Sequence, residues 1–429
     1  MKPTHIVCLA LATVLSGTNA KADVLYLNSG EEITGELLSL DSGSALLDCS
    51  GIRRRYNAAD IMKIRLVREY KESAPTLAKD KIYKRLFDRP PTGKSYPEDG
   101  LLTLLRESVF SADPAASTAT LRTVRYILRE GARVAGTARF SYLPDVNRAR
   151  LLYGRTVSGP DSQQFTNDIS IQEGAEYPDY PFYDKTRSVK FAMPGVQVDT
   201  VVDYAFEIIG QHSPAYPFLA TRYFRSSQPS RLERLSITAP ESKKIIYDAA
   251  NISIKPDINT ENSYTSYQWE GKNIPSYKNQ PLLPPYEMYA PSVLACFEDS
   301  WENIRASLEP ELNKRLLITP EMKKLAQKLA PANKPELERA EALYNWVNAE
   351  IQYQPVPMAD YSYLPTPSDE IFSRKAGNAL DKPFLLYALL QAAGLQADFI
   401  YIAASNGRPF SEKLPNIRQF SAGQCLLRS

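Results

Sequence analysis

Apolar and polar positions divide this chain into stretches of period two followed by stretches of period three to four. Between residues 23 and 68 the runs are short: Val24–Leu27, Glu32–Leu40, Ala45–Cys49, Ile52–Tyr56 and Ile61–Leu66. Turns at Asn28-Ser29-Gly30 and Asp41-Ser42-Gly43 separate them. That rhythm predicts a small antiparallel β-barrel. Residues 69–118 read as a connector, Lys- and Arg-rich up to Pro90-Pro91 and then rich in Gly, Pro and acids up to Gly100. Within it the spacing from Leu101 to Phe110 predicts one short amphipathic helix, ended by Asp113-Pro114. Residues 119–270 alternate again, as in Leu121–Leu128, Ala138–Tyr142, Val201–Ile209 and Leu235–Thr238. They predict antiparallel strands with one face buried, forming a β-sandwich or a large bent sheet with no helix of any length.

Residues 271–298 hold Pro275, Pro281, Pro284-Pro285 and Pro291 among tyrosines, which predicts an extended, semi-rigid linker. From Ser300 the period changes to that of helices. Trp301–Leu308 is one, and Pro320–Leu329 is the next, with Pro320 in the first turn. Glu336–Gln352 follows, its stripe made of Leu337, Ala340, Tyr344, Val347 and Ile351. Phe384–Ala393 is closed by Gly394 and precedes a strand, Gln396–Ile402. The fold class is therefore α+β multidomain: a small β-barrel (23–68), a large antiparallel β-sandwich-like domain (119–270) and an α+β domain (299–429).

The first residues change the picture. Lys2, the apolar stretch Ile6–Leu15 and Ala20-Lys21-Ala22 predict a secretory signal over residues 1–22, with a buried N-terminal strand or helix as the alternative. The stretch is too short to span a bilayer, and no other segment is long and apolar enough. Cys8 lacks the small-residue context of a lipid-attachment site. Loss of this leader removes Lys2 and Lys21 and no acid, leaving the bases equal to the 49 acids. A neutral chain argues against nonspecific nucleic-acid binding. Arg53-Arg54-Arg55 reads as a solvated turn or strand face. Cys49, Cys296 and Cys425 remain, an odd and widely spaced set that makes no disulfide framework. His212 is the one histidine left, so no metal cluster and no cofactor are expected.

Three segments resemble known families. The first strands look like SH3-like or Sm-like barrels; without an aromatic or basic stacking set, a structural or docking module is expected rather than an RNA binder. Asp179–Asp184, Val189–Val196 and Val201–Glu207 resemble an uncharacterised β-rich domain that commonly precedes transglutaminase-like domains in bacterial envelope proteins. This resemblance covers Leu121 to Tyr289. Ser373–Lys382, leading into an apolar helical run, resembles the nucleophile segment of a bacterial transglutaminase-like domain. Tyr344, Trp346, Ile351 and Tyr353 match the phrase that precedes its catalytic helix.

The resemblance implies a papain-like α+β domain with three catalytic parts. A cysteine sits at a helix N-terminus, where the macrodipole favours its thiolate; a histidine on a neighbouring strand moves the proton; an acid orients the histidine. Where the family carries Gly-Asp-Cys-Lys-Asp-Lys, this chain reads Gly377-Asn378-Ala379-Leu380-Asp381-Lys382, so the cysteine position is Ala379. Where the family's histidine strand begins Gln-Phe-Asn-His, this chain reads Gln419-Phe420-Ser421-Ala422, and no histidine follows His212. The acid would come from a later strand, so the domain is expected to be a degenerate one, incomplete at its C-terminal end. Pro383 would lack the N–H owed to the Ala379 carbonyl if Asn378 were the cap. The helix is therefore expected to start later, with Asp381 as N-cap and Ala379 off the dipole.

The remaining candidates weigh as follows. Cys425 could be a relocated nucleophile, but its apolar run reads as that of a buried thiol, as do Cys296 and Cys49. His212, in a loop, would need a nucleophile that the sequence does not reveal. Asn378, Asp381, Lys382 and Trp346 are the candidates for a residual pocket; the plainer reading of Asp381-Lys382 is a helix cap beside a solvated lysine. Tyr177, Tyr180, Phe182, Tyr183, Tyr286 and Tyr289 could stack on sugars or peptides, or pack internally. Nothing in the spacing of Asp179 and Asp184 supports a glycosidase pair. The expected function is a periplasmic or secreted bacterial protein without the Cys-His-Asp set, binding or scaffolding envelope proteins or glycans. The alternatives are a thiol-dependent acyl transferase or peptidase with a relocated nucleophile, or a truncated copy of a longer transglutaminase-like protein.

Overall fold

A computed structural model describes residues 23–428 apart from 41–42, 50, 66–69, 72, 278–281 and 404–407. The expected leader (1–22), the turn residues 41–42, Leu66 and Pro281 lie outside the described residues.

The first unit is a five-stranded sheet, antiparallel throughout: Ile52–Asn57, Ser44–Cys49, Glu32–Leu40, Asp23–Leu27 and Ile61–Arg65, in that spatial order. Leu25, Ala45 and Leu47 are its fully buried side chains. Arg53, Arg54 and Arg55 lie exposed on the strand Ile52–Asn57, where a solvated strand face was expected.

The second unit holds everything from residue 71 onward except 167–170. Its frame is an eight-stranded sheet in the order Ser162–Phe165, Asn147–Gly159, Val201–Gln211, Ala116–Ile127, Leu101–Ala112, Ser230–Pro240, Tyr264–Ile274, Asp257–Glu261. All its pairs are antiparallel but one: Leu101–Ala112 runs parallel to Ser230–Pro240. Two three-stranded sheets cover it. One is Ile171–Ala175, Arg187–Ala192 and Thr137–Tyr142, joined to the frame by Phe140 stacked on Phe206 at 4.6 Å. The other is Ala220–Tyr223, Ser292–Phe297 and Ile245–Ala250, which shares a core with Leu235, Ile237 and Trp269.

Two expectations fail here. Leu101–Phe110, read as a helix, is a strand. A register shift between Thr103 and Leu105 lets the consecutive leucines 101, 102, 104 and 105 all be buried, so the strand loses the alternation that would have marked it. The first described α-helix lies earlier, at Lys81–Asp88, capped by the Asp80 side chain on the Ile82 N–H. Likewise the segment read as a linker ends in a core strand: Ser292–Phe297 is the middle of its sheet, and its first five residues are buried.

The helical part is organised around Asp381–Ala392. This helix is apolar on all sides and is packed by Pro320–Leu329, Glu336–Glu350, Ser368–Arg374 and the hairpin Ala397–Ile402/Ala422–Leu427. Thr319 caps Pro320–Leu329 through the Met322 N–H, with Pro320 in the first turn as expected. Gly394 ends the central helix at φ +74°. The stripe of Glu336–Glu350 differs from the expected one. Leu337 and Tyr344 are exposed, and the buried row is Arg339, Leu343, Val347 and Ile351. Arg339 belongs inside because its guanidinium donates to the carbonyls of Ala330 and Ala393, each just past the end of a helix. Among the described residues no helix is long and apolar enough to cross a membrane.

Candidate functional site

The segment entering the central helix is held from both sides. Lys375 ends the helix Ser368–Arg374 in the left-handed conformation (φ 55°), and Ala376–Gly377 then pairs in parallel with Gln352–Tyr353. Gly377 is closely packed. A Cβ there would lie 3.0 Å from Lys382 Cγ and 3.2 Å from Lys382 N.

Asn378 opens the turn into the helix. Its side-chain oxygen accepts from the N–H groups of Leu380 (2.9 Å) and Asp381 (3.0 Å), and its carbonyl accepts from Lys382 N (3.2 Å). The helix is counted from Asp381, so the later start and Pro383 in the first turn are as expected; Asp381 is the first helical residue rather than the cap, and Ala379 lies in the turn that leads into the helix N-terminus. Pro383 does leave the Ala379 carbonyl without a helical donor. The structure supplies one from outside: Gly423 N donates to Ala379 O at 3.0 Å. That bond satisfies the carbonyl that the proline leaves open, just before the helix begins.

The same bond brings the two empty positions together, because Ala422 immediately precedes Gly423. Gly423 must itself be glycine, since a Cβ would meet the Phe399 ring at 2.8 Å and Leu380 Cδ1 at 3.2 Å. The strand that carries Ala422 thus lies beside the segment that carries Ala379, and each of these residues ends in a methyl group.

The polar residues of the motif are engaged elsewhere. Asp381 is 1% exposed. Its Oδ1 accepts from Thr366 N (2.8 Å), and its Oδ2 accepts from Arg374 and from the hydroxyl of Tyr183. Tyr183 belongs to the β-rich domain, in the turn after Asp179, and is fully buried. Its hydroxyl donates to Asp381 and accepts from Asn378 N (2.9 Å) and Arg374, which fills its capacity of one donor and two acceptors. Burial and then the Asp381 charge push the Tyr183 phenol well above its usual range. Lys382 is half-buried rather than solvated. Its ammonium donates to the Ile351 carbonyl at 2.8 Å, and burial lowers its pKa. Trp346 stacks on Phe372 at 5.7 Å with Lys375 Nζ 4.4 Å over its ring. The structure thus gathers Asn378, Asp381 and Lys382 at one helix start, while the ring contacts of Trp346 lie with Phe372 and Lys375.

The sulfurs are quiet. Cys425 donates its thiol to the Pro383 carbonyl at 2.9 Å, and burial pushes its pKa up to about 12. Cys296 is buried and likewise raised to about 12. Cys49, Cys296 and Cys425 are all free thiols. His212 has a neighbour the sequence did not reveal: its Nε2 lies 2.9 Å from Ser117 Oγ, and its Nδ1 lies 3.2 Å from the Pro114 carbonyl. Because a carbonyl only accepts, Nδ1 carries the hydrogen and Nε2 accepts from the serine. This is nucleophile-and-base geometry in which the second ring nitrogen bonds a carbonyl rather than a carboxylate, and burial lowers the histidine's pKa against the opposing charge of Asp113. No described residues form a group of three His, Cys, Asp or Glu that could hold a metal.

Of the tyrosines, Tyr177 donates to Asp360, and Tyr183 packs against Tyr361 at 4.6 Å. Tyr286 stacks on Tyr277 at 4.7 Å and meets Tyr289 edge-on. Phe182 is half exposed. These aromatics mostly join elements of the fold. Sequence reasoning missed the Tyr183–Arg374–Asp381 cluster because its members lie up to 198 residues apart; the aromatic run around Tyr183 was the one local sign.

Comparison with known proteins agrees with this geometry. Residues 114–278 match a family of domains of unknown function, DUF3857, and residues 323–413 match the transglutaminase-like superfamily. The second match includes Ala379 and stops before Ala422. A crystal structure from Parabacteroides distasonis, provisionally named a protease, matches 76% of this chain with a TM-score of 0.66 at 17% identity. The chain spans 65% of that structure's length, and at this identity the likeness speaks to the fold alone. Two M1 zinc metallopeptidase structures, one of them from Deinococcus radiodurans, reach TM-scores of 0.26 and 0.25 at 10% identity. They cover 46% of this chain and 42% and 43% of their own, which carries no argument. No curated protein matches the chain. The chain carries a DUF3857 domain followed by a transglutaminase-like domain.

Proposed function

We propose that this protein is a non-catalytic transglutaminase-like protein that binds or scaffolds envelope proteins or glycans in the periplasm or outside a bacterial cell. One observation supports the reading: the bond from Gly423 N to Ala379 O sets the strand that carries Ala422 beside the segment that carries Ala379, the two positions at which the family resemblance expects imidazole and thiol. A methyl group neither attacks an acyl carbon nor moves a proton. The dipole and the neighbouring strand remain, so what is missing is the reactive atoms and not the frame. Export rests on the leader reading of residues 1–22. Protein recovered from an envelope fraction should begin at Asp23, and recovery of an intact Met1 would defeat that part.

Thiol labelling tests the chemistry. With Cys296 and Cys425 raised to about 12, on the order of one thiol in 10⁵ is thiolate at pH 7, so in a Cys49→Ser background the folded protein should label slowly. Ala379→Cys should add one thiol that reacts orders of magnitude faster, because the first helical turn stabilises its anion. A single fast thiol in the unaltered protein, with acyl or peptide turnover abolished by Cys425→Ser, would establish the relocated-nucleophile alternative. An Ala379→Cys thiol no faster than Cys425 would contradict the geometry assigned to the helix start.

A further inference from the structure

A cleft of about 740 Å³ opens between the helix Lys81–Asp88 and the strands of the eight-stranded sheet, with Leu104, Leu105 and Leu232 among its apolar lining. That volume suits a small-molecule ligand. Its lining holds seven basic and three acidic side chains. All three acids are already paired: Asp80 with Arg122 at 2.6 Å, Glu107 with Arg234 at 2.8 Å, and Glu270 with Arg234 at 2.9 Å and Lys272 at 2.7 Å. Four cations remain. The side chains of Lys79, Lys81, Arg85 and Arg231 have no ion pair or hydrogen bond among the described residues.

The chain's formal net charge is only +2, so this surplus is local. Like charges lining one concavity repel one another, and the cleft walls concentrate their field. A bound anion relieves that repulsion. The unpaired cations come from two elements, the helix segment and the strand Ser230–Pro240, so a ligand bearing one anionic group leaves part of the surplus unanswered. Arg85 and Arg231 each present a planar fork that fits a carboxylate or phosphate with two hydrogen bonds, and the lysines act as point charges. The apolar lining suits the uncharged body of such a ligand.

We propose that this cleft binds a small molecule carrying at least two phosphate or carboxylate groups. The site is distinct from the alanine pair and does not depend on whether the transglutaminase-like domain is catalytic.

Calorimetric titration of the mature protein with inorganic pyrophosphate, and in parallel with citrate, tests it. At least one should bind saturably and more weakly as salt rises; which one binds tells phosphate from carboxylate preference. Arg85→Ala combined with Arg231→Ala should weaken binding about tenfold or more. Lys79→Ala combined with Lys81→Ala, both exposed and unpaired, should also weaken it and serves as the test if the arginine variant does not fold. Lys190→Ala, exposed on Arg187–Ala192 outside the cleft, should leave it unchanged. Binding of neither probe, binding that survives the cleft variants, or an equal loss on Lys190→Ala overturns the proposal.

Discussion

Asp203→Ala should lower the unfolding free energy by about 3–5 kcal/mol, the cost of removing one partner from a buried charge cluster. Asp203 is fully buried in the strand Val201–Gln211. Its Oδ1 accepts from Arg122 Nε (3.1 Å) and the Tyr153 hydroxyl (3.0 Å). Its Oδ2 accepts from Arg122 Nη2 (3.0 Å), Arg155 Nε (3.0 Å), Arg155 Nη2 (2.7 Å) and the Tyr83 hydroxyl (2.9 Å). Alanine leaves two guanidiniums and two phenols in the interior without this acceptor. Tyr83 is also one of the residues, with Leu86, that pack the helix Lys81–Asp88 onto the sheet, so the wall of the basic cleft should loosen with it. Denaturant midpoints measure the effect; Asp257→Ala, exposed on an edge strand, should stay within about 0.5 kcal/mol of the unaltered protein.

The same carboxylate gives the stability a pH dependence with a definite sign. Burial raises the Asp203 pKa, but Arg122 and Arg155 more than cancel that, so the folded value lies below its usual one. A lowered folded pKa means that the contribution is complete above the unfolded value of about 3.9 and is lost as pH falls through the folded value. Acid should therefore destabilise the unaltered protein more than it destabilises the Asp203→Ala variant, and the two stability curves should converge at low pH. Parallel curves from neutral to acid pH would show that Asp203 does not carry this dependence.

What the sequence revealed follows from how local each signal is. Pro320–Leu329 could be read from Pro320, and the central helix from an apolar run closed by Gly394, because starts and stops act within one turn. Leu101–Ala112 could not. Its leucines at 101, 104 and 105 fit a helical stripe, whereas the strand is buried on both faces from Leu101 to Leu105 and shifts register between Thr103 and Leu105, which no local pattern announces. Arg339 could not be placed inside by hydropathy, because its burial depends on carbonyls at the ends of two other helices. The vacant nucleophile was legible because it is a single position in a recognisable phrase. The Asn378 turn that precedes that helix was not, because the donor that answers the Ala379 carbonyl comes from Gly423, more than forty residues later.

Asp381→Ala should cost about 3–5 kcal/mol as well, for the reason that makes Asp381 structural rather than catalytic. Arg374, whose side chain is 5% exposed, would keep its charge without its 2.5 Å partner. Thr366 N and the Tyr183 hydroxyl would lose their acceptors at the same time. Tyr183→Phe is the milder test. It leaves Asp381 with Arg374 and Thr366 but strands the Asn378 N–H, for about 1–3 kcal/mol. Because Tyr183 comes from the DUF3857 region and Asp381 from the transglutaminase-like one, the two substitutions should also change cooperativity. Other contacts cross the same boundary, including Tyr216 Oη to the Tyr361 carbonyl at 3.0 Å and Lys185 over the Tyr361 ring at 4.7 Å, so partial coupling survives. The expected outcome is one unfolding transition for the unaltered protein and a broadened or split one for Asp381→Ala. In a double-mutant cycle with Tyr183→Phe the costs should be clearly less than additive, because both remove the same bond. Strict additivity would mean that the hydroxyl and the carboxylate do not work as a pair, and Asp381 would then be free for another role. If they do couple, the aspartate that answers to the family motif holds two domains together, a role that does not require a cysteine at position 379.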